Sequence, residues 1–524
     1  SPEVDRATGF LAPQFERDRA YGAAIKLPYY IVIDDQTDVT LTPFLSYGDG
    51  ALLEVEARKL FERGEIDVTI IGGVTNYGND ARGARGRIAG FGFGRYEAAD
   101  GVHIGFDLQA AADDPFLRRY DYTEADRLTS EAFVRAYDGP SRASVSFGYL
   151  QSLRNGEPQD TIPIVLPEIS ARYVFETPGL GGETGLSLDA VALHRESGRD
   201  VARLSLGADW SRQAIMPQGV VLRGFADVRM DHYVIDDDPA LPDDATRLAP
   251  RAGVEARMPF SRVDEAGGVH IAEPIVQFVY APDDIFDGDI PNEDSQNAEF
   301  DTLNLFETDR QPGFDRFENG ARFTVGGRYE RVYDEGFGFR AAAGRIFRFD
   351  GINDFSPNAG LNSVSSDYVA QLDLTYQDWA ELRTAWRVSD DFGVERAEIT
   401  GALDFHPLTV SGRYLFVNAD PVAGSAIDRS EVALAAELSL DRNWAVGAEA
   451  RRDLIRDRFV TAGAVLRYED ECAGVDIYAR RRFTESVSAP RGTSVGVSVR
   501  LFGATGGNRN KASGACAYGA SPGE

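Results

Sequence analysis

Scarcity sets the first limits on this 524-residue chain. It holds two cysteines, three methionines, four tryptophans and five histidines. Cys472 and Cys516 both fall late in the chain, and no clustered Cys or His pattern of zinc-binding spacing accompanies them. So few cysteines fit an oxidising periplasm with a single disulfide, and they fit two inert thiols equally well. Basic residues are also in deficit, 54 against 84 acidic ones, for a formal net charge of -30. That balance argues against a nucleic-acid partner, whose phosphates reward clustered Lys and Arg. No stretch approaches the roughly 18 to 20 consecutive apolar residues that a membrane-spanning helix needs. No signal peptide opens the chain at Ser1, so an exported protein is expected here in a mature or trimmed form. Enzymatic motifs are missing as well. There is no G-x-S-x-G nucleophile elbow, and no catalytic residue is assigned. The stretch from Asp283 to Asp294 matches a calcium loop too loosely to name a metal site, and no cofactor is implied.

What recurs is alternation. Val102, Ile104, Phe106 and Leu108 interleave with His103, Gly105, Asp107 and Gln109. Ala202, Leu204, Leu206, Ala208 and Trp210 interleave with Arg203, Ser205, Gly207 and Asp209. The pattern returns at Val432, Leu434, Ala436, Leu438 and Leu440, and closes with Val495, Val497, Val499 and Leu501 against Ser494, Gly496, Ser498 and Arg500. Successive side chains on a strand point to opposite faces, so these segments each predict one apolar and one polar face. A soluble all-β protein alternates for the same reason. Three features favour a membrane barrel: charges in mid-strand on the polar face, aromatics such as Trp210, Tyr376 and Trp386 near strand ends, and tight turns alternating with long polar ones. Closure also removes the sheet edges that so many strands would expose. The fold class expected is therefore all-β, one large antiparallel transmembrane β-barrel. At roughly 19 residues per strand and turn, about 500 residues give strands in the mid-twenties. Acidic runs such as Asp236-Asp237-Asp238 and the segment from Ala281 to Asp301 are expected to be solvated loops. The expected barrel spans 1–505, and the Gly and Ser-rich residues 506–524 form a tail outside it.

Proline is informative by position. It has no N–H to donate, so a strand containing it loses a ladder hydrogen bond. Pro13 and Pro28 fall where the first two strands are expected, and the first strand must meet the last to close the barrel. A laterally weak seam between first and last strands follows. Turn-adjacent prolines without function are the plainer alternative, and Pro43 is read that way too.

The opening motifs Thr8-Gly9-Phe10-Leu11-Ala12-Pro13, Leu27-Pro28-Tyr29-Tyr30 and Asp38-Val39-Thr40-Leu41-Thr42-Pro43 resemble the start of the barrel in the LptD (Imp/OstA) family of lipopolysaccharide-assembly proteins. Further matches are Glu273-Pro274 with Gln277 and Tyr280, Leu305-Phe306, Asp309-Arg310, Asp315-Arg316-Phe317, and Tyr468 with Cys472 before the last strand. The resemblance covers almost the whole barrel and implies about 26 strands. It also implies an integral outer-membrane translocon that receives lipopolysaccharide from a periplasmic bridge protein and inserts it into the outer leaflet through a lateral gate. The gate would comprise Pro13 and Pro28 facing Val495, Val497, Val499 and Leu501. The partners implied are lipopolysaccharide, outer-membrane lipids, an LptE-like plug lipoprotein, and the bridge protein acting through an N-terminal periplasmic β-jellyroll, expected to be absent from this chain. Family members often carry two adjacent late cysteines paired with that domain. Here Glu471 precedes Cys472, whose partner is Cys516, a cysteine of the missing segment, or none. The alternative function is a passive porin or substrate-specific uptake channel.

Overall fold

The alternating segments become strands because only a closed sheet satisfies every backbone N–H and C=O in lipid while sending apolar side chains one way and polar ones the other. The computed structural model describes all residues except 1–6, 77–84, 114–115, 124, 155, 266, 284, 286–288, 297, 333–335, 350–354, 422–425, 471–472, 485–490 and 502–524. Twenty-nine strand segments form one antiparallel sheet. Three segment pairs are single strands interrupted near a proline: Gly9–Phe10 with Gln14–Asp18, Gly22–Lys26 with Tyr29–Val32, and Asp244–Arg257 with Phe260–Val263. The last two pairs each share one partner strand, Thr37–Ser46 and Val269–Ala281 respectively. Counting each interrupted strand once leaves a closed barrel of 26 strands. Among the described residues no helix is long and apolar enough to cross a membrane.

Facing follows the sequence pattern. Leu204 and Leu206 on Asp200–Ile215 look outward and remain 43% and 47% exposed, as do Ile104, Leu108 and Met230 on other strands. Their alternates look into the lumen, where Arg172 grips Asp209 with a guanidinium nitrogen 2.8 Å from the carboxylate. The antiparallel count puts both ends of the described chain at one rim. The opposite rim receives the longer connections.

Several of those connections fold inward, and two of them bear on the site. Phe116, Leu117 and Tyr120 pack on Phe44, Leu52, Ile71 and Ala89 of the first strands. The second is the connection between Val269–Ala281 and Gly320–Val332. Its first part, from Ala281 to Asp301, was expected to be a solvated loop, yet Ser295 and Phe300 are buried there, as are Leu305, Arg310, Asp315 and Glu318 further along. The reason is charge matching across distance. Its carboxylates meet lumenal arginines of the wall, so a segment that is hydrophilic by composition is sequestered. Asp315 binds Arg203 at 2.7 Å, and Arg310 and Arg348 bind Glu318 at 2.9 and 2.6 Å.

Candidate functional site: the seam and the lumen behind it

The barrel closes where Gln14–Asp18 meets Gly492–Leu501. Among the described residues, Gln14, Phe15, Glu16 and Arg17 are the ones in register with the last strand, opposite Ser498, Val497, Gly496 and Val495. The last strand is paired along all ten of its residues with Ala473–Arg482 on its other side. Among the described residues the ladder stops at Gln14, while Gly9–Phe10 pairs on its other side with Tyr29–Val32.

The prolines sit at the interruptions. Pro13 lies in the gap between Gly9–Phe10 and Gln14–Asp18, directly before the seam ladder begins. Pro28 lies in the gap of the second strand, and its carbonyl accepts the Leu11 N–H at 2.8 Å. In an antiparallel ladder a residue's N–H and C=O point to the same neighbour, so the reciprocal donor from Pro28 to the first strand is missing. Pro43 repeats the pattern one strand further on. Its carbonyl accepts the Leu27 N–H at 3.2 Å, and it has none to return. Pro43, expected beside a turn, lies within Thr37–Ser46 opposite Leu53. One proline per strand at a constant spacing of fifteen residues was the available signal.

Of the expected gate residues, Val495 faces outward at 47% exposure, and Val497 and Val499 follow on the same face, half-buried. Leu501 ends the strand, and its side chain is outside the described residues, as are Cys472, Cys516 and the expected tail. The structure thus brings Pro13 next to the ladder that holds Val495 and Val497. Pro28 is one strand away.

Behind the seam the lumenal face is polar and closely fitted. Gly496 stands opposite both Tyr478 and Glu16. A Cβ on Gly496 would lie 2.4 Å from the Tyr478 ring, so the ring lies directly over this glycine. A cavity of about 550 Å³ extends along the inner wall, lined by Glu16, Asp18 and Tyr21, by Arg118 and Arg119, and by Glu449, Arg467 and Arg480 of the last strands. Arg467 binds Glu437 at 2.8 Å and Asp476 at 3.1 Å. Asp49 fastens the inward segment above, accepting from the Tyr120 hydroxyl at 2.6 Å and lying 3.3 Å from Arg119. Burial and that carboxylate push the Tyr120 hydroxyl up to about 12. Among the described residues no group of three or more His, Cys, Asp or Glu is placed to hold a metal ion.

Across the lumen the inward loop is held by a second charged set. Burial alone would raise the Glu318 carboxyl, but Arg310, Arg322 and Arg348 outweigh it and hold the group well below the usual carboxylate range. Gln277, 1% exposed, donates to the Phe306 carbonyl at 2.7 Å. Glu273 pairs with Arg328. The motif residues Gln277, Arg310 and Asp315 therefore belong to the attachment of this loop, whereas Glu273 pairs within the wall.

The sequence pattern of the family described as LPS transport system D, LptD, matches residues 91–444. The chain belongs to the LptD family. LPS-assembly protein LptD of Hahella chejuensis is 26% identical over 419 residues, covering 74% of this chain and 50% of that protein. The LptD proteins of Idiomarina loihiensis and Methylococcus capsulatus are 23% and 25% identical, covering 92% and 65% of this chain and 64% and 34% of their own lengths. The chain thus spans between about a third and two thirds of these LptD relatives. A solved siderophore receptor, PirA from Pseudomonas aeruginosa, aligns over 95% of this chain and 81% of its own at 9% identity and a TM-score of 0.35. An LptD-family barrel of this size and facing is an integral protein of the outer membrane.

Proposed function

We propose that this barrel receives lipopolysaccharide from the periplasmic side, holds its saccharide in the polar lumen and passes its acyl chains into the outer leaflet through the seam between first and last strands. The observation that carries this reading is the seam itself, four residues of ladder that begin immediately after Pro13. Four cross-strand hydrogen bonds at about 1 kcal/mol each in water, and more in lipid, make opening there a matter of several kcal/mol, well below the cost along a fully paired strand. The lumenal cavity adjoins that ladder through Glu16 and Ser494. Partners of the kinds named for the family, a periplasmic bridge and a small lipoprotein plug, complete the proposal. The inward loop already occupies part of the space such a plug would fill.

The test is to lock the seam. With Cys472 and Cys516 replaced by serine, Phe15→Cys with Val497→Cys places two thiols on directly opposed residues. Oxidation is expected to stop newly made lipopolysaccharide from reaching the cell surface, and reduction to restore it. A matching pair at Ala208 and Val228, opposed in the far wall, should leave delivery intact. Unchanged delivery through the locked seam would remove the gate. Pro13→Ala with Pro28→Ala should lower delivery while insertion of the barrel continues.

A further inference from the structure

The lipid-facing side of the seam carries charge where a barrel exterior is ordinarily apolar. Arg17 alternates with Phe15 on the outer face and stands opposite Val495; Phe15 and Val495 are about half exposed, and Arg17 is exposed. Arg481 alternates with Ile477 and Ala479 on the outer face of Ala473–Arg482, and stands opposite Thr493 of the last strand. Both arginines are exposed, and among the described residues neither makes an ion pair. They flank the last strand from its two sides, both toward the rim that receives the long connections. A row of aromatic and cationic groups continues from Arg481. Its guanidinium lies 4.9 Å from the Phe483 ring, Phe483 is 5.7 Å from Phe459, and Arg452 lies 5.2 Å from Phe459. Arg452 is neutralised by Asp457, whereas Arg17 and Arg481 keep their charge free on the strands that flank the seam, with the exposed Arg19 and Arg491 beyond them at the same rim.

We infer that Arg17 and Arg481 form a binding surface for the phosphate groups of a phosphorylated glycolipid lying in the leaflet at that rim, beside the seam. Charge complementarity favours this occupant. A chain with a net charge of -30 repels anionic lipid over most of its surface, so two unpaired outward arginines at one site create a local exception. Their depth favours it too. Phe459 and Phe483 lie at the rim ends of their strands, and aromatic side chains at the strand ends of a membrane barrel commonly meet the headgroup layer. Below them Phe15, Ile477 and Val495 offer an apolar wall to acyl chains. The surface would receive a lipid as it leaves the seam. This deepens the proposed function and rests on it for the identity of the lipid.

The experiment measures binding of diphosphoryl lipid A, and of its dephosphorylated form, to the whole barrel in nanodiscs. An arginine near a charged lipid surface contributes about fivefold in affinity, so Arg17→Gln with Arg481→Gln should weaken binding of the diphosphoryl form roughly twentyfold. The dephosphorylated form should bind both proteins alike. Arg17→Lys with Arg481→Lys, which keeps the charge, should restore most of the loss, and a retained heat-modifiable band on gels shows that each variant is folded. Equal binding of diphosphoryl lipid A by wild type and the glutamine variant overturns the proposal. So does full displacement of the lipid by millimolar inorganic phosphate, which would mark a free-anion site. The same measurement on the barrel with its seam locked separates the two ideas. Binding that survives there stands even if delivery proves independent of the seam.

Discussion

The seam and the wall across the lumen are made of the same alternating strands, yet they hold together by different means. In the wall, Asp200–Ile215 and Val221–Asp236 are in register over sixteen residues, and Arg203 and Arg247 reach inward to the loop, one to the Asp315 carboxylate and the other to its backbone carbonyl. At the seam the ladder is four residues long, three consecutive strands each lose a donor to proline, and the inner face lines a cavity. The difference teaches where the barrel can yield. Resistance to separation is spread over ladder and latch on one side and, among the described residues, over a four-pair ladder on the other, and the proposed lateral opening relies on that contrast.

The strongest way to break this comparison is to damage the wall. Glu318→Gln would leave Arg310, Arg322 and Arg348 buried without their shared carboxylate, and losing one partner of a buried ion pair typically costs about 3–5 kcal/mol. Denaturant unfolding of the detergent-folded barrel should show a loss of that order. The yield of the Phe15–Val497 cross-link should stay as in the parent. Acid should act through the same group. Because the folded pKa of Glu318 lies below its unfolded value, its stabilisation is complete above the unfolded pKa of about 4.3 and is lost as pH falls toward the folded value. The latch is therefore expected to hold unchanged from pH 8 to 5 and to loosen only in stronger acid. Stability profiles of wild type and Glu318→Gln should converge there. A profile for the variant that falls as steeply as the parent's would assign the acid response to another carboxylate.

A smaller effect is expected at the seam's inner face. Gly496→Val drives a Cβ into the Tyr478 ring and should cost about 1–3 kcal/mol, as overpacking does. Gly224→Val in the wall, where a Cβ meets nothing within 4 Å, should be close to neutral. Comparable losses at the two glycines would mean that the seam is no more closely fitted than the wall.

The barrel itself was legible in residues such as Val102 to Gln109 and Ala202 to Trp210, because strand facing depends only on neighbours two positions apart. The interrupted first strand was legible too, since a proline declares its missing donor wherever it stands. The latch was not. Asp315 and Arg203 are 112 residues apart, and nothing local distinguishes a carboxylate that will find a buried guanidinium from one that stays in water. Arg310 and Asp315 stood out only as shared motif letters, with no physical role until the loop turned inward. Pro43 was visible but misplaced, because a single proline reads as a turn until its neighbours supply a register.

The subtlest prediction bears on those prolines. Replacing Pro28 by Ala restores a donor opposite Leu11, and one added backbone hydrogen bond contributes about 0.5–1.5 kcal/mol. Hydrogen exchange should show the amides of Gln14 to Arg17 better protected, because a continuous second strand holds the first against the last. Pro43→Ala restores a donor one strand further from the closure, so its effect on the same amides should be smaller. If both substitutions protect the seam equally, the prolines soften the first strands as a sheet. If protection falls with distance from Gln14, each proline acts through the one ladder it interrupts, and Pro13, adjacent to the closing pair, carries the largest share.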